Sequence, residues 1–298
     1  METMFLQFVL PELAVTNEIM FTRSWNIFLL SESIIGQKLF ELQTLVRQLL
    51  PESRISYQAH LGYVTWSITV PVITSEQERV AKILEDEVTA GLRAALGDYI
   101  LYSDERSCHD YFVSEMSSRN LSFSCAESCT GGLMSSEITS VSGSSRMFLG
   151  GVVSYSSTSK SDLLGVEPRA LDRFGAVSTQ VAAQMAFGVR SAFSSDVAIS
   201  VTGVAGPGGG TTVHPVGSVC FGMAISLLRI VNLQELVRVL AVFGWTPVAR
   251  NHEGFVKQKS IELVAERKFG AGLSRDDIQH RSTIFAIGSV IAILNMLK

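Results

Sequence analysis

The passage from Ser124 to Gly132 holds the residue types best suited to chemistry in this chain. An apolar, β-favouring run over 121–126 leads to Ser128, Cys129 and Thr130, after which two glycines precede a helical pattern. A serine at such a strand-to-helix turn is lifted out of the core, and the amides of the following helix N-terminus can face a developing anion or a phosphate. The passage lacks the G-x-S-x-G pattern of α/β-hydrolases, and an ordinary Ser/Thr helix cap also fits it.

A second candidate pair, Tyr155 and Lys160, lies near the predicted end of a strand in the segment 152–160. A lysine titrates near ~10.4, but burial beside a serine lowers that value and lets the amine act as a base. A Ser–Lys pair is an accepted form of activated nucleophile. Spacing alone is explained more simply by a solvated Lys160 and a packed Tyr155.

A glycine-rich loop, 203–210, follows a predicted strand. Glycines let backbone amides approach a phosphate closely, although the loop matches neither the P-loop nor the dinucleotide pattern, and a long turn also fits. Cys125 and Cys129 with His109 or His214 lack the compact spacing of a metal site, so no metal is expected.

Composition limits the class of protein. Of 298 residues 47% are apolar and 17% charged, so a large core is expected, and the net charge of −4 disfavours nucleic acid as the partner. Four cysteines form no disulfide framework, which favours a reducing cytoplasm. No uninterrupted apolar stretch reaches the ~18 residues needed to span a membrane, and the apolar run 282–297 is predicted to be a buried helix.

Hydrophobic periodicity predicts a small α+β layer in the first third of the chain. The predicted order is β-α-β-β-α, with strands over 25–30, 55–59 and 64–70 and helices over 31–50 and 80–96. The charged stretch 103–106 is the predicted domain boundary.

Beyond this boundary strands and helices mostly alternate, which predicts an α/β domain. Strands are expected over 121–126, 152–154, 196–202, 217–225 and 262–269, and helices up to 120, over 130–139 and over 178–192. Ser274 is the predicted N-cap of the last helix, supported by Asp277 three residues later.

Five segments, taken together and in this order, resemble the C-terminal domain of the competence/damage-inducible CinA proteins, a family that includes nicotinamide mononucleotide deamidases. They are Glu127 to Gly132, Tyr155-Ser156 with Lys160, Gly175 to Ser178, Thr202 to Pro207, and Pro215 to Gly217. The resemblance covers about 103–225 and resumes from about 262. It implies a three-layer α/β domain.

The segment 25–102 resembles the KH-like middle module of the full-length CinA proteins. The expected organisation is a remnant over 1–22, a KH-like α+β module over 23–103 and the CinA-like domain over 104–298. The large molybdopterin-binding-like domain is expected to be missing, and with it the pyrophosphatase activity. No RNA binding is expected, because no G-x-x-G loop is visible between the helices.

The resemblance implies a serine amidohydrolase that needs no metal and no organic cofactor. Ser128 would be the nucleophile, Lys160 the general base, and Tyr155 would order or relay the proton. Substrate contacts would come from Thr130, Gly131, Thr202, Gly203, Gly206 and Arg275. The substrate would be nicotinamide mononucleotide, and the enzyme a cytoplasmic homodimer that feeds NAD recycling.

Two departures from the family pattern leave an alternative open. Gly272 to Arg275 replaces the family's tighter Gly-Asp-Arg, and Gln279 stands where a second arginine is usual. The stretch 226–261 is an insertion whose apolar content predicts packing or a subunit contact. The alternative is therefore a CinA-like protein that binds nucleotides but has lost turnover.

Overall fold

Two separate β-sheets organise the chain. The computed structural model describes residues 18–248, 260–270 and 272–298, and the chain divides into two units, one ending at Glu105 and the other beginning at Arg106. Most of the expected N-terminal remnant, 1–17, lies outside the described residues. Residues 18–22 belong to the first strand of the first unit.

The first unit is an antiparallel four-stranded sheet of order β2-β3-β1-β4 with its helices packed on an apolar core. Trp25 and Trp66 face each other across β1 and β3, with ring centroids 5.4 Å apart. The elements are β1 (Glu18–Phe28), α1 (Glu32–Lys38), α2 (Phe40–Leu49), β2 (Arg54–Ala59), β3 (Tyr63–Ile73), α3 (Gln77–Ile83), α4 (Ala90–Leu96) and β4 (Ile100–Tyr102).

Two helices predicted as continuous are interrupted. The first breaks at the buried Leu39, between α1 and α2. The second contains a π-helical turn, Leu84–Thr89, between α3 and α4. Along the whole helical segment, buried apolar residues recur every four positions, at 80, 84, 88, 92 and 96. In a regular helix of 3.6 residues per turn, four residues rotate the side-chain direction by about 40° more than one full turn, so these side chains would drift away from the sheet. The wider π turn corrects this drift and keeps the apolar face on the sheet.

The second unit has a six-stranded mixed sheet of order β6-β5-β7-β8-β10-β9, in which β6, β5 and β7 are parallel and the other pairs antiparallel. Its strands are β5 (Phe123–Glu127), β6 (Phe148–Val153), β7 (Val197–Gly203), β8 (Ser218–Ser226), β9 (Thr246–Pro247) and β10 (Ser260–Lys268). Its helices are α5 (Cys108–Ser118), α6 (Leu133–Ser140), α7 (Ser157–Leu164), α8 (Pro168–Phe174), α9 (Thr179–Phe193), α10 (Leu233–Val242) and α11 (Arg275–Ile293).

Alternation along β8 shows that helices cover both faces of this sheet. Phe221 packs against Phe285 of α11, with ring centroids 4.6 Å apart. A Cβ on the next residue, Gly222, would clash with the carbonyl of Ala182 in α9. The sheet is therefore the middle of three layers, and glycine is required where α9 approaches it.

The strand order predicts a binding site at the carboxyl ends of the parallel strands. From the central β5 the chain crosses to β6 on one side and later returns to β7 on the other. Ligands of open α/β sheets bind where strand order reverses in this way. Ser128 and Ser154 follow β5 and β6 directly at this edge.

The predicted insertion folds onto the second unit, except that 249–259 lies outside the described residues. Trp245 is 1% exposed, stacks on Phe285 with centroids 5.7 Å apart, and donates from Nε1 to Ser289 Oγ at 2.9 Å. Strand β9 pairs with Leu263 and Val264 of β10. The insertion thus extends the sheet and covers α11.

Helix α11 accounts for most of the apolar C-terminal run, and its central residues are buried. Among the residues that the structure describes, no helix combines the length and apolar character needed to span a bilayer.

Replacing Trp245 with alanine tests whether the insertion is part of the core. Removal of a buried indole should lower the free energy of unfolding by about 3–5 kcal/mol, measured by urea denaturation of the full chain. The control is Val242→Ala on the same insertion, because Val242 is 37% exposed and should change stability by less than ~0.5 kcal/mol. Equal effects of the two substitutions would contradict this packing.

Candidate active site

The turn after β5 is organised by the carboxylate of Glu127, which is completely buried. Its oxygens accept hydrogen bonds from the N–H groups of Gly132, Met134 and Ser135 at 2.9–3.0 Å and from Ser135 Oγ at 2.6 Å. Gly131 and Gly132 have φ of +64° and +102°, a region that favours glycine. These residues form a tight elbow between β5 and α6.

This arrangement corrects the expectation that the helix N-terminus faces a ligand anion. The first amides of α6 are already satisfied by an internal anion, the Glu127 carboxylate. The helix also begins at Leu133 rather than at residue 130, because the two glycines form the turn. Any anion formed at Ser128 needs other donors.

Ser128 and Lys160 form the central contact of the site. Lys160 Nζ donates to Ser128 Oγ at 2.8 Å and to the backbone oxygen of Ser154 at 2.6 Å. Lys160 is 1% exposed and Ser128 8%. Ser154 N–H in turn donates to the carbonyl of Glu127 at 2.8 Å, which ties the end of β6 to the elbow. The solvated Lys160 considered from its spacing is therefore wrong.

Burial sets the protonation of the groups around Ser128. Desolvation lowers the pKa of Lys160, because the ammonium form loses its hydration when it is buried. A smaller electrostatic effect of the neighbouring Cys129 side chain raises this pKa. Burial raises the pKa of Cys129 to about 12. At neutral pH Cys129 is protonated and is a poor nucleophile, so Ser128 is the better candidate of the two.

Two amides of the elbow have no backbone acceptor within the part of the chain that the structure describes. Ser128 N–H donates to Val201 and Gly131 N–H donates to Ser128, whereas the N–H groups of Cys129 and Thr130 make no such bond. Thr130 Oγ1 is also buried without a hydrogen-bond partner. These groups next to Ser128 are the candidate donors to a bound molecule.

Two of the predicted substrate contacts have internal roles. The hydroxyl of Thr202 is buried and donates to the carbonyl of Ala176 at 2.8 Å, so it connects β7 to the loop before α9. A Cβ on Gly203 would lie 2.7 Å from the backbone oxygen of Ser218. Gly203 is therefore needed for close strand packing.

Arg275 joins the other predicted residues at the rim of the site. Its guanidinium donates to the carbonyl of Gly206 at 2.7 Å and to Tyr155 Oη at 3.1 Å. Tyr155 is 64% exposed. Its hydroxyl is thus bonded to Arg275, and no hydrogen bond between Tyr155 and the Ser128–Lys160 pair is found within the described residues. The predicted proton relay through Tyr155 gains no support from this geometry.

Gln279 is a site residue that sequence reasoning noted only as a departure from the family pattern. Its Nε2 donates to the carbonyl of Cys129 at 2.7 Å. Arg275 and Gln279 are one turn apart on α11 and lie on the same face. The i, i+4 spacing from Arg275 indicates that Gln279 faces the same site. It does not indicate the partner, because Cys129 is 150 positions away in the sequence.

The side chains that could bind a metal ion are not clustered in the part of the chain that the structure describes. Within the described ranges no group of three or more His, Cys, Asp and Glu side chains is placed to hold a metal ion. The four cysteines are free and buried. His109, considered with the cysteines as a ligand, instead hydrogen-bonds Glu137 at 3.0 Å.

Residues 105–236 match the family model described as CinA C-terminal domain. A CinA-like protein of Kosmotoga olearia is 34% identical over 270 residues, which cover 89% of this chain and 62% of that protein. A CinA-like protein of Desulfotalea psychrophila is 36% identical over 226 residues, 74% of this chain and 52% of that protein. The chain spans about half the length of the first curated relatives it matches.

A solved structure, competence/damage inducible protein CihA from Agrobacterium tumefaciens, is 31% identical to this chain. The match covers 65% of this chain and 99% of that one, with a TM-score of 0.49.

The substitution Glu127→Gln tests the elbow. It turns a donor amide toward amides that need an acceptor, and should lower the free energy of unfolding by about 2–4 kcal/mol. Hydrogen exchange at Gly132, Met134 and Ser135 should accelerate as well. The control is Glu115→Gln, which removes longer ion pairs to Arg106 and Arg119 at 3.7 and 3.6 Å and should cost less than ~1 kcal/mol. Unchanged exchange at the three amides would refute the assigned role of Glu127.

Proposed function

We propose that this chain, which belongs to the CinA family, is a Ser/Lys amidohydrolase that converts nicotinamide mononucleotide to nicotinate mononucleotide and ammonia. The observation that carries this proposal is the 2.8 Å contact between Lys160 Nζ and Ser128 Oγ in a buried setting. A serine needs an adjacent base to become a nucleophile, and a desolvated lysine is one of the established choices.

In the first step neutral Lys160 accepts the hydroxyl proton of Ser128 while Oγ attacks the carboxamide carbon. The carbonyl oxygen becomes an oxyanion, and the N–H groups of Cys129 and Thr130 are its proposed donors. Because these amides are held by the elbow, they need little reorganisation when the charge forms. Collapse breaks the C–N bond, and the proton on Lys160 passes to the leaving nitrogen, which departs as ammonia.

In the second step Lys160 takes a proton from water, whose oxygen attacks the acyl ester on Ser128. The same two amides stabilise the second oxyanion. Its collapse returns the proton to Ser128 Oγ and releases the carboxylic acid, so water is the only co-reactant consumed. The ammonium of Lys160 stays bonded to the Ser154 carbonyl in both intermediates, which keeps Nζ close to the reacting oxygen.

The substrate phosphate is assigned to the rim formed by Arg275 and the glycine loop that begins at Gly203. The guanidinium uses only part of its five donors on Gly206 and Tyr155, and the others remain for oxygens of a phosphate. Thr130 and Gly131 belong to the elbow that follows Ser128 and are the remaining proposed substrate contacts. We also propose that the protein is a cytoplasmic homodimer whose product enters NAD recycling. Residues 23–103 would form a KH-like module.

A second candidate function is nucleotide binding without turnover. It is favoured by the altered sequence before Arg275, by the insertion, and by Gln279 in place of an arginine, because Gln279 contacts the residue that follows Ser128. In that case nicotinamide mononucleotide would raise the melting temperature, but no ammonia would form.

The decisive experiment measures ammonia release from nicotinamide mononucleotide by wild type, Ser128→Ala and Lys160→Met. Both variants should lose at least about a thousandfold in kcat, because nucleophile and base act as a unit. Their melting temperatures should remain close to that of the wild type. Release by Lys160→Met at the wild-type rate would reject the dyad, and a wild type that binds the nucleotide without release would favour the second candidate.

The pH profile provides a separate prediction. Only the neutral amine of Lys160 can accept the Ser128 proton, so kcat/KM should rise with pH as this amine deprotonates. Since burial lowers the pKa of Lys160, the rise should be centred below the usual value of a lysine. Rates are measured from about pH 6 to about pH 10, with circular dichroism as the control for folding. A rate that falls as pH increases over this range, while the fold persists, would contradict Lys160 as the base.

A further inference from the structure

The peptide unit between Cys129 and Thr130 is held from one side only. Its carbonyl accepts from Gln279 Nε2 at 2.7 Å, while its N–H, which belongs to Thr130, has no backbone acceptor among the described residues. In a planar trans peptide the C=O and N–H bonds point in opposite directions. A hydrogen bond that fixes the carbonyl therefore also fixes the direction of the N–H.

The other groups of the elbow leave this N–H as a natural donor. Ser128 N–H donates to Val201 at 2.9 Å, and Gly131 N–H donates to Ser128 at 3.1 Å. Acceptance of a hydrogen bond by the Cys129 carbonyl also polarises the same peptide unit and strengthens its N–H as a donor. Gln279 itself is well placed for this task, since the capping box of Ser274 and Asp277 fixes the first turn of α11.

We infer that Gln279 is a positioning residue, which holds the Thr130 N–H in the direction required to stabilise an oxyanion formed at Ser128. The inference rests on the proposed function, because it requires Ser128 to act as a nucleophile. Gln279 acts through the peptide unit and needs no contact with the substrate.

The test uses a fluorophosphonate, whose reaction with a serine resembles the first step of hydrolysis. Ser128 Oγ would form a bond to phosphorus, fluoride would leave, and the hydroxyl proton would pass to Lys160. The phosphoryl oxygen then lies where the oxyanion would form. Mass spectrometry of the intact full chain follows the rate, and peptide mapping identifies Ser128 as the labelled residue.

Gln279→Leu, which removes the donor, should slow labelling by about tenfold or more. If the wild type releases ammonia, kcat should fall by a similar factor with KM unchanged. Gln279→Arg retains a donor of sufficient length and should stay within about threefold of wild type. The matched control is Gln43→Leu, since Gln43 Nε2 donates to Tyr57 Oη at the same distance, 2.7 Å, in the other unit, and it should leave labelling unchanged.

The outcomes separate this inference from the proposed reaction. Labelling that slows in Gln279→Leu and recovers in Gln279→Arg supports the positioning role, and a wild type that labels without releasing ammonia counts only against the deamidase. Equal labelling rates in wild type and Gln279→Leu would overturn the inference. So would a loss shared with Gln43→Leu, or a wild type that is not labelled at Ser128.

Discussion

The buried carboxylate of Glu127 is the interaction on which the site depends. A helix that follows a strand after a short turn leaves several N–H groups without acceptors, and burial makes each of them costly. Glu127 satisfies three of them from the last position of β5. Its own desolvation is compensated by these bonds. The turn therefore has one conformation, and the residue that follows Glu127 is Ser128, which leaves the strand at its carboxyl end.

Helix α11 provides the second constraint, because it connects three otherwise separate parts of the second unit. Through Arg275 it contacts the loop after β7 and Tyr155, the second residue after β6, and through Gln279 it contacts the elbow after β5. His280 Nδ1, on the same turn, pairs with Glu137 Oε1 of α6 at 2.6 Å. One long helix therefore holds the loops at the carboxyl edge of the sheet in fixed positions relative to one another.

Local signals in the sequence were sufficient for much of the fold. Alternation over 64–70 identified β3, and Ser274 with Asp277 was confirmed as a capping box, since each pattern reflects neighbours along the chain. The π-helical turn, the acceptor role of Glu127 and the contact from Gln279 depend instead on side chains that meet only in three dimensions. The Ser128 and Lys160 side chains, named from the family motif, are brought together. Thr202 is directed to another partner.

Strand β9 shows where the sheet accommodates the added segment. Four strand spacings of about 4.8 Å separate β9 from β5, so the added segment joins the sheet roughly 19 Å from the elbow. Growth at a remote sheet edge conceals hydrogen-bonding groups that would otherwise recruit foreign strands. A change in the length of this segment is therefore separated from the residues around Ser128 by the three strands between β9 and β5.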